Sequence, residues 1–128
     1  MEHGIRVGLL LVCPSNGLQI LLEDGLPPSE PLDATSPMDE AAASLFKKLL
    51  GFEPRRGPAT SGWVSLNQIW AFASDSKTNP PQRNVTILYG ALVPEPEPVK
   101  QGRATWSSLD VLPSELHREL AEAIRRVL

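Results

Sequence analysis

Residues 36–52 run Ser36-Pro37-Met38-Asp39-Glu40-Ala41-Ala42-Ala43-Ser44-Leu45-Phe46-Lys47-Lys48-Leu49-Leu50-Gly51-Phe52, and the rest of the chain is organised around the helix they specify. Ser36 offers an N-cap, Pro37 suits the first helical position, and Asp39 and Glu40 sit at the positive end of the helix dipole. The spacing predicts a helix over 37–50, stopped by Gly51. Its apolar positions, Ala41, Ala42, Leu45, Phe46, Leu49 and Leu50, form a stripe wide enough to cover two surfaces rather than one. Only Ser44, Lys47 and Lys48 interrupt it toward solvent.

Upstream, residues 5–13 are a continuous apolar run, which suits a strand covered on both faces. Pro14-Ser15-Asn16-Gly17 makes a turn, and residues 18–22 return as a second strand. Residues 23–36, with Gly25, Pro27, Pro28 and Pro31, have no periodicity and read as a loop. Downstream, residues 62–74 read as a strand with a bulge near Asn67-Gln68, and 75–83 as a loop through Asn79-Pro80-Pro81. Residues 84–93 form the clearest strand. Pro94-Glu95-Pro96-Glu97-Pro98 is a stiff spacer, residues 103–107 a short strand around Trp106, and residues 114–127 a helix with Leu116, Leu120, Ala123, Ile124 and Val127 at helical spacing. Helices falling between groups of strands imply a mixed sheet with helices on its faces, an α/β fold.

Composition narrows the function. The 128 residues allow one domain spanning 1–128, and a hydrophobic content of 41% is that of an ordinary folded domain. A net charge of -3, without a basic run, argues against nucleic acid as partner. No apolar run approaches the ~20 residues of a membrane helix, so no membrane partner is expected. Cys13 is the one cysteine, which rules out an intrachain disulfide or a cysteine-based zinc site and points to a cytoplasmic protein. The 13 prolines fix many loops.

The pattern of residues 36–52 resembles the second half of a Nudix box, G-x5-E-x7-R-E-U-x-E-E-x-G-U. Gly51-Phe52 match its last two positions, Phe46 its central apolar position, and Ala41-Ala42 a pair common just before its Arg-Glu. The resemblance continues through Gln68-Ile69-Trp70-Ala71-Phe72, a loop ending in Arg83, the run Val85-Thr86-Ile87-Leu88-Tyr89-Gly90-Ala91-Leu92-Val93-Pro94, and Trp106 to Pro113 with His117 and the closing helix. These segments are similar to the Nudix branch that holds ADP-ribose pyrophosphatases and transcription regulators with a Nudix-like sensing domain. It implies a Nudix-type α/β/α sandwich. Regulators of that branch carry a winged-helix segment after the Nudix-like part; these 128 residues hold none, which disfavours a stand-alone regulator.

The resemblance breaks where the chemistry sits. A Nudix hydrolase holds divalent metal on several carboxylates, because the metal neutralises a diphosphate and activates water. In this register the Arg-Glu of the box falls on Ser44-Leu45, the Glu-Glu on Lys48-Leu49, the upstream Glu on Ser36 and the Gly on Glu30. Lys48 would repel a dication ~5 Å away by roughly 6–7 kcal/mol at an effective dielectric of ~20. No catalytic residue, metal site or cofactor is therefore expected.

Leu45 and Leu49 are read two ways, as core leucines or as an interface, either a homodimer contact or a closed-over cleft that the loop 25–31 could cover. Phe72, Arg83 and Trp106 are the candidate ligand-binding residues, Arg as a phosphate clamp and the aromatics as base platforms, against the plainer roles of core aromatics and a solvated cation. Glu23, Asp24, Glu30 and Asp33 could supply a relocated metal site, and His117 a lone base; both read more simply as solvated side chains. The expected function is a catalytically inactive Nudix-like domain that binds a nucleotide-type, ADP-ribose-like ligand or a protein partner. The alternative is a hydrolase of a nucleoside diphosphate-linked substrate with displaced metal ligands.

Overall fold

The apolar run at the head of the chain forms β1 (Glu2–Cys13), which organises the sheet. The computed structural model describes residues 2–14, 17–33, 35, 37–52, 54, 66–76, 82–94, 96–108 and 114–127. Within its strands and helices, the side chains of residues 2, 3, 72–76, 82, 83, 114–117 and 119 lie outside that description. One edge of β1 pairs in parallel with β5 (Gln82–Leu92), from Glu2 opposite Gln82 to Val12 opposite Leu92. Its other edge is shared by β3 (Ser29–Pro31), antiparallel to Arg6, Val7 and Gly8, and β2 (Gln19–Leu22), antiparallel to Val12 and Cys13. With β4 (Asn67–Ser76) beyond β5 and β6 (Thr105–Ser108) beyond β2, the order is β4-β5-β1-β2-β6, β3 lying beside β1.

Alternation along β1 sends Val7, Leu9 and Leu11 to one face and Leu10 and Val12 to the other. α1 (Met38–Leu50) packs Ala42, Leu45, Phe46, Leu49 and Leu50 on the first face. α2 (Ser114–Val127) packs Leu120, Ala123 and Ile124 on the second. A strand buried on both sides must be apolar throughout, which is why residues 5–13 do not alternate. The approach of α2 is close at Gly90, where a Cβ would stand 2.5 Å from Ile69 Cδ1 and from Val127 Cγ2. Cys13 is buried and unpaired. No helix among the described residues is long and apolar enough to cross a membrane.

Three local expectations need correction. Of the stretch read as a loop over 75–83, Asp75 and Ser76 extend β4 and Gln82 and Arg83 begin β5, while residues 77–81 lie outside the described residues. The stretch 23–36 is not one loop, since Ser29–Pro31 forms β3. Asp24 (φ 53°) and Gly25 (φ 80°) make a two-residue turn closed by Glu23 N–H to Leu26 O (2.7 Å) and Leu26 N–H to Glu23 O (3.1 Å), and the chain then turns back along β1. The prolines do not prevent this, because β3 is short and lies at the margin of the sheet. At the start of α1, Pro37 takes the N-cap position (ψ 139°) with no side-chain cap, one residue later than expected, and Ser36 lies outside the described residues. Gly51 ends the helix as expected, in the left-handed region at φ 84°, its N–H on Lys47 O at 2.8 Å.

Candidate functional site

The face of α1 that the box register would give to metal ligands is covered by the chain itself. Leu45 and Leu49 are each only 3% exposed and belong to the apolar cluster of Val7, Leu9, Leu11, Leu21 and Tyr89. Residues 99–104 help close this face. Lys100 N–H donates to Leu49 O at 2.6 Å, Leu49 Cδ2 stands 3.8 Å from where a Gly102 Cβ would be, and Val99, Ala104 and Trp106 pack into the same cluster. Trp106 anchors this segment by donating its indole Nε1–H to Glu97 O at 2.8 Å. The leucine pair therefore offers no free surface to a second copy. The segment after the Pro94–Pro98 run contributes to this covering at Leu49.

Lys48, one position before Leu49, points to solvent and donates its ammonium to Glu30 Oε1 at 2.6 Å. This hydrogen bond, with the attraction of the carboxylate, raises the Lys48 pKa above its ordinary value of 10.5. The Lys48 ammonium thus stands beside the Glu30 carboxylate at the exposed edge of α1.

An open pocket of about 350 Å³ lies next to this pair, between β3 and the first half of α1. Val7 and Ala41 give it apolar surface, and Glu30, Asp33, Glu40, Ser44 and Pro31 complete its lining. Asp33 Oδ1 accepts the Thr35 backbone N–H and the Thr35 hydroxyl, both at 3.0 Å, and these bonds hold its carboxyl below the usual 3.8. The α1 end of this region is fixed from beneath: the Tyr89 hydroxyl, on a side chain 3% exposed, donates to Asp39 Oδ1.

The residues singled out from the sequence do not converge here. Phe72 pairs with Thr86, a position on the α2 face of the sheet, whereas Trp106 pairs with Leu21 on the α1 face. Arg83 pairs with His3 at the beginning of β1, and Trp106 belongs to the rows at its end, where Val12 pairs with Ile20. At ~3.3 Å per residue those rows are more than about 25 Å apart. The side chains of Phe72, Arg83 and His117 lie outside the described residues. One shared pocket bordered by Phe72, Arg83 and Trp106 is thus at odds with the ladder, and Trp106 serves as an anchor for the covering segment. Of the acids considered for a relocated metal site, Glu30 and Asp33 share the pocket, while Asp24 sits in the turn after β2 and Glu23 Oε1 lies near Gly102. Among the described residues no group of three His, Cys, Asp or Glu side chains is arranged to hold a metal ion. Sequence reasoning missed Glu40, Ala41 and Ser44 as pocket residues, because their role appears only once β3 is placed beside β1.

No family model and no curated protein matches this chain. Solved structures do. The NUDIX domain of Shewanella oneidensis NrtR complexed with ADP ribose matches at TM-score 0.66 and 16% identity, over 100% of this chain and 90% of that one. A NUDIX family hydrolase from Clostridium perfringens matches at TM-score 0.67 and 14% identity over 100% of both chains, and a C. elegans Ap4A hydrolase at 0.64 and 14%, also over 100% of both. Likeness of this extent, spread over the whole mixed sheet and both helices, identifies the chain as having the Nudix fold.

Proposed function

We propose that this chain is a catalytically inactive Nudix-like domain with a degenerate box, one that acts by binding, and that a protein partner suits its open surface better than a nucleotide does. The observation that carries this is the burial of Leu45 and Leu49 in the apolar cluster between α1 and the sheet, with residues 100 and 102 lying against Leu49. Where metal-bearing carboxylates would face substrate, there is a closed apolar contact, with a lysine beside it already committed to Glu30. The pocket left open is lined by three carboxylates, Glu30, Asp33 and Glu40, and so repels the phosphates of a nucleotide. A nucleotide-type ligand is kept as the second reading because a structural neighbour is complexed with ADP ribose. The buried, unpaired Cys13 suits a reducing compartment such as the cytoplasm. A homodimer also belongs to the proposal, with its contact elsewhere than Leu45 and Leu49.

Purified protein incubated with magnesium or manganese is expected to leave ADP-ribose, dinucleoside polyphosphates and nucleoside triphosphates intact, as followed by phosphate release and chromatography. Turnover that needs the metal and disappears on Glu30→Gln or Asp33→Asn would instead establish a hydrolase with displaced ligands. A rise in melting temperature with ADP-ribose, in the absence of turnover, would favour the nucleotide reading over the protein partner.

A further inference from the structure

The open pocket does not stand alone. Val7, which lines it, is followed on the same face of β1 by Ile5, two residues and about 7 Å away. Ile5 is 52% exposed, and Val85, its partner in the parallel ladder, is 40% exposed. Leu32 N–H donates to Ile5 O at 2.9 Å, so the segment carrying Asp33 runs directly beside this apolar pair. The first turn of α1 is held away from it, because Asp39 is tied to Tyr89, in the Leu9 row, and Ile5 and Val85 lie four rows further along. The pocket and the exposed apolar strip of Ile5 and Val85 beside it together offer one groove, with Glu30 and Asp33 on the β3 side and Glu40 on the α1 side. Lys48, the cation seen beside these carboxylates, is spent on Glu30. Asp33 accepts only from Thr35 among the described residues, and Glu40 is exposed.

We infer that this groove is a docking surface for a cationic, aliphatic peptide segment of another protein, with a lysine or arginine side chain in the pocket and aliphatic side chains on Ile5 and Val85. Charge complementarity selects that occupant. A purely apolar segment would leave the carboxylates unanswered, an anionic ligand would be repelled by them, and a small cation would leave the apolar strip bare. The inference rests on the binding reading above. Metal-dependent turnover would end that reading, whereas failure of the peptide to bind would end only this inference.

The test uses the full chain and a fluorescent octapeptide of alternating lysine and valine, read by polarisation. Asp33→Asn with Glu40→Gln is expected to weaken binding at least tenfold, and Val85→Ser at least threefold. Glu122→Lys, which makes the same change in net charge on α2, is expected to leave binding unchanged. An octapeptide of alternating lysine and serine should bind at least fivefold more weakly than the lysine-valine one. Each altered residue is exposed, and unchanged melting temperatures check that the variants remain folded. Equal loss with Glu122→Lys, equal binding of the lysine-serine peptide, or no binding at millimolar protein overturns the inference. So does self-association of the wild type that Asp33→Asn with Glu40→Gln abolishes, since the occupant would then be a second copy of this chain.

Discussion

Leu49→Glu restores a carboxylate at a position where the box register calls for one, and its consequence depends on whether that face is open or closed. In the closed arrangement the substitution removes a leucine that is 3% exposed and packed beside the Gly102 backbone. Loss of the leucine alone, as in Leu49→Ala, should destabilise the fold by about 2–5 kcal/mol. The introduced carboxyl adds a pH-dependent cost, since burial among apolar side chains raises a glutamate pKa by as much as ~3–5 units. Below ~4.3 both folded and unfolded states hold the proton and no extra cost arises. Above it the unfolded chain releases the proton while the native state keeps it, so stability falls by ~1.4 kcal/mol per pH unit until the raised native pKa is reached. Between pH 4.5 and pH 7 this reaches roughly 3 kcal/mol. Urea denaturation at several pH values reads the slope directly, with Leu49→Ala as the pH-independent comparison and the exposed Ser44→Ala, expected within ~0.5 kcal/mol of wild type, as control. Should Leu49→Glu be unfolded at pH 7, the slope is read from pH 4 to 5.5. A loss below about 1 kcal/mol, without the added slope, would mean that Leu49 faces water and that the closed face does not exist.

Two further outcomes follow from contacts away from that face. Gly90→Ala places a methyl 2.5 Å from Ile69 Cδ1 and Val127 Cγ2, and calorimetry should show a loss of about 1–3 kcal/mol as α2 is pushed from the sheet. In NMR titrations Asp33 should give a midpoint below 3.8, its bonds from Thr35 adding stability that is present above 3.8 and lost as pH falls through the native value. Lys48 should give one above 10.5, its contribution present below 10.5 and lost as pH rises through the native value; Glu30→Gln should lower the Lys48 midpoint and leave that of Asp33 unmoved.

The elements that local chemistry determines were legible in the sequence. Gly51 stops α1 because only a residue without a side chain takes φ 84° freely, and the run 5–13 declared its two-sided burial by failing to alternate. The bulge near Asn67-Gln68 is present, between Gln68 and Trp70. β3 was not legible. Three residues flanked by prolines carry no period, and only the Asp24-Gly25 turn, which reverses the chain toward β1, makes a strand of them. The same gap hid the pocket, since Glu30 and Asp33 read as solvated loop acids until β3 sets them opposite Glu40 and Ser44. The ladder positions of Phe72, Arg83 and Trp106, far apart along the sheet, were hidden for a related reason. Sequence order cannot say which face of a strand a residue occupies once a bulge has shifted the register, nor how far along a ladder two rows lie.

On the proposed register, the leucines of α1 and the segment that covers them account for each other. Carboxylates at positions 45 and 49 would be well hydrated, and residues 99–104 could settle on them only by stripping that water without supplying partners, a cost of several kcal/mol per charge. Leucines reverse the sign, since each one buried contributes roughly 1.5–3 kcal/mol and favours the covering segment. A single carboxylate put at either position would therefore meet an occupied core rather than a vacant cleft. Closure also relocates whatever surface the domain uses. The C-terminal half of α1 has residues 100 and 102 against Leu49, while its N-terminal half, held at Asp39 by Tyr89, still presents Glu40, Ala41 and Ser44 beside Glu30 and Asp33. A binding role carried by this helix must therefore be exercised from its first two turns, against a partner that can answer negative charge.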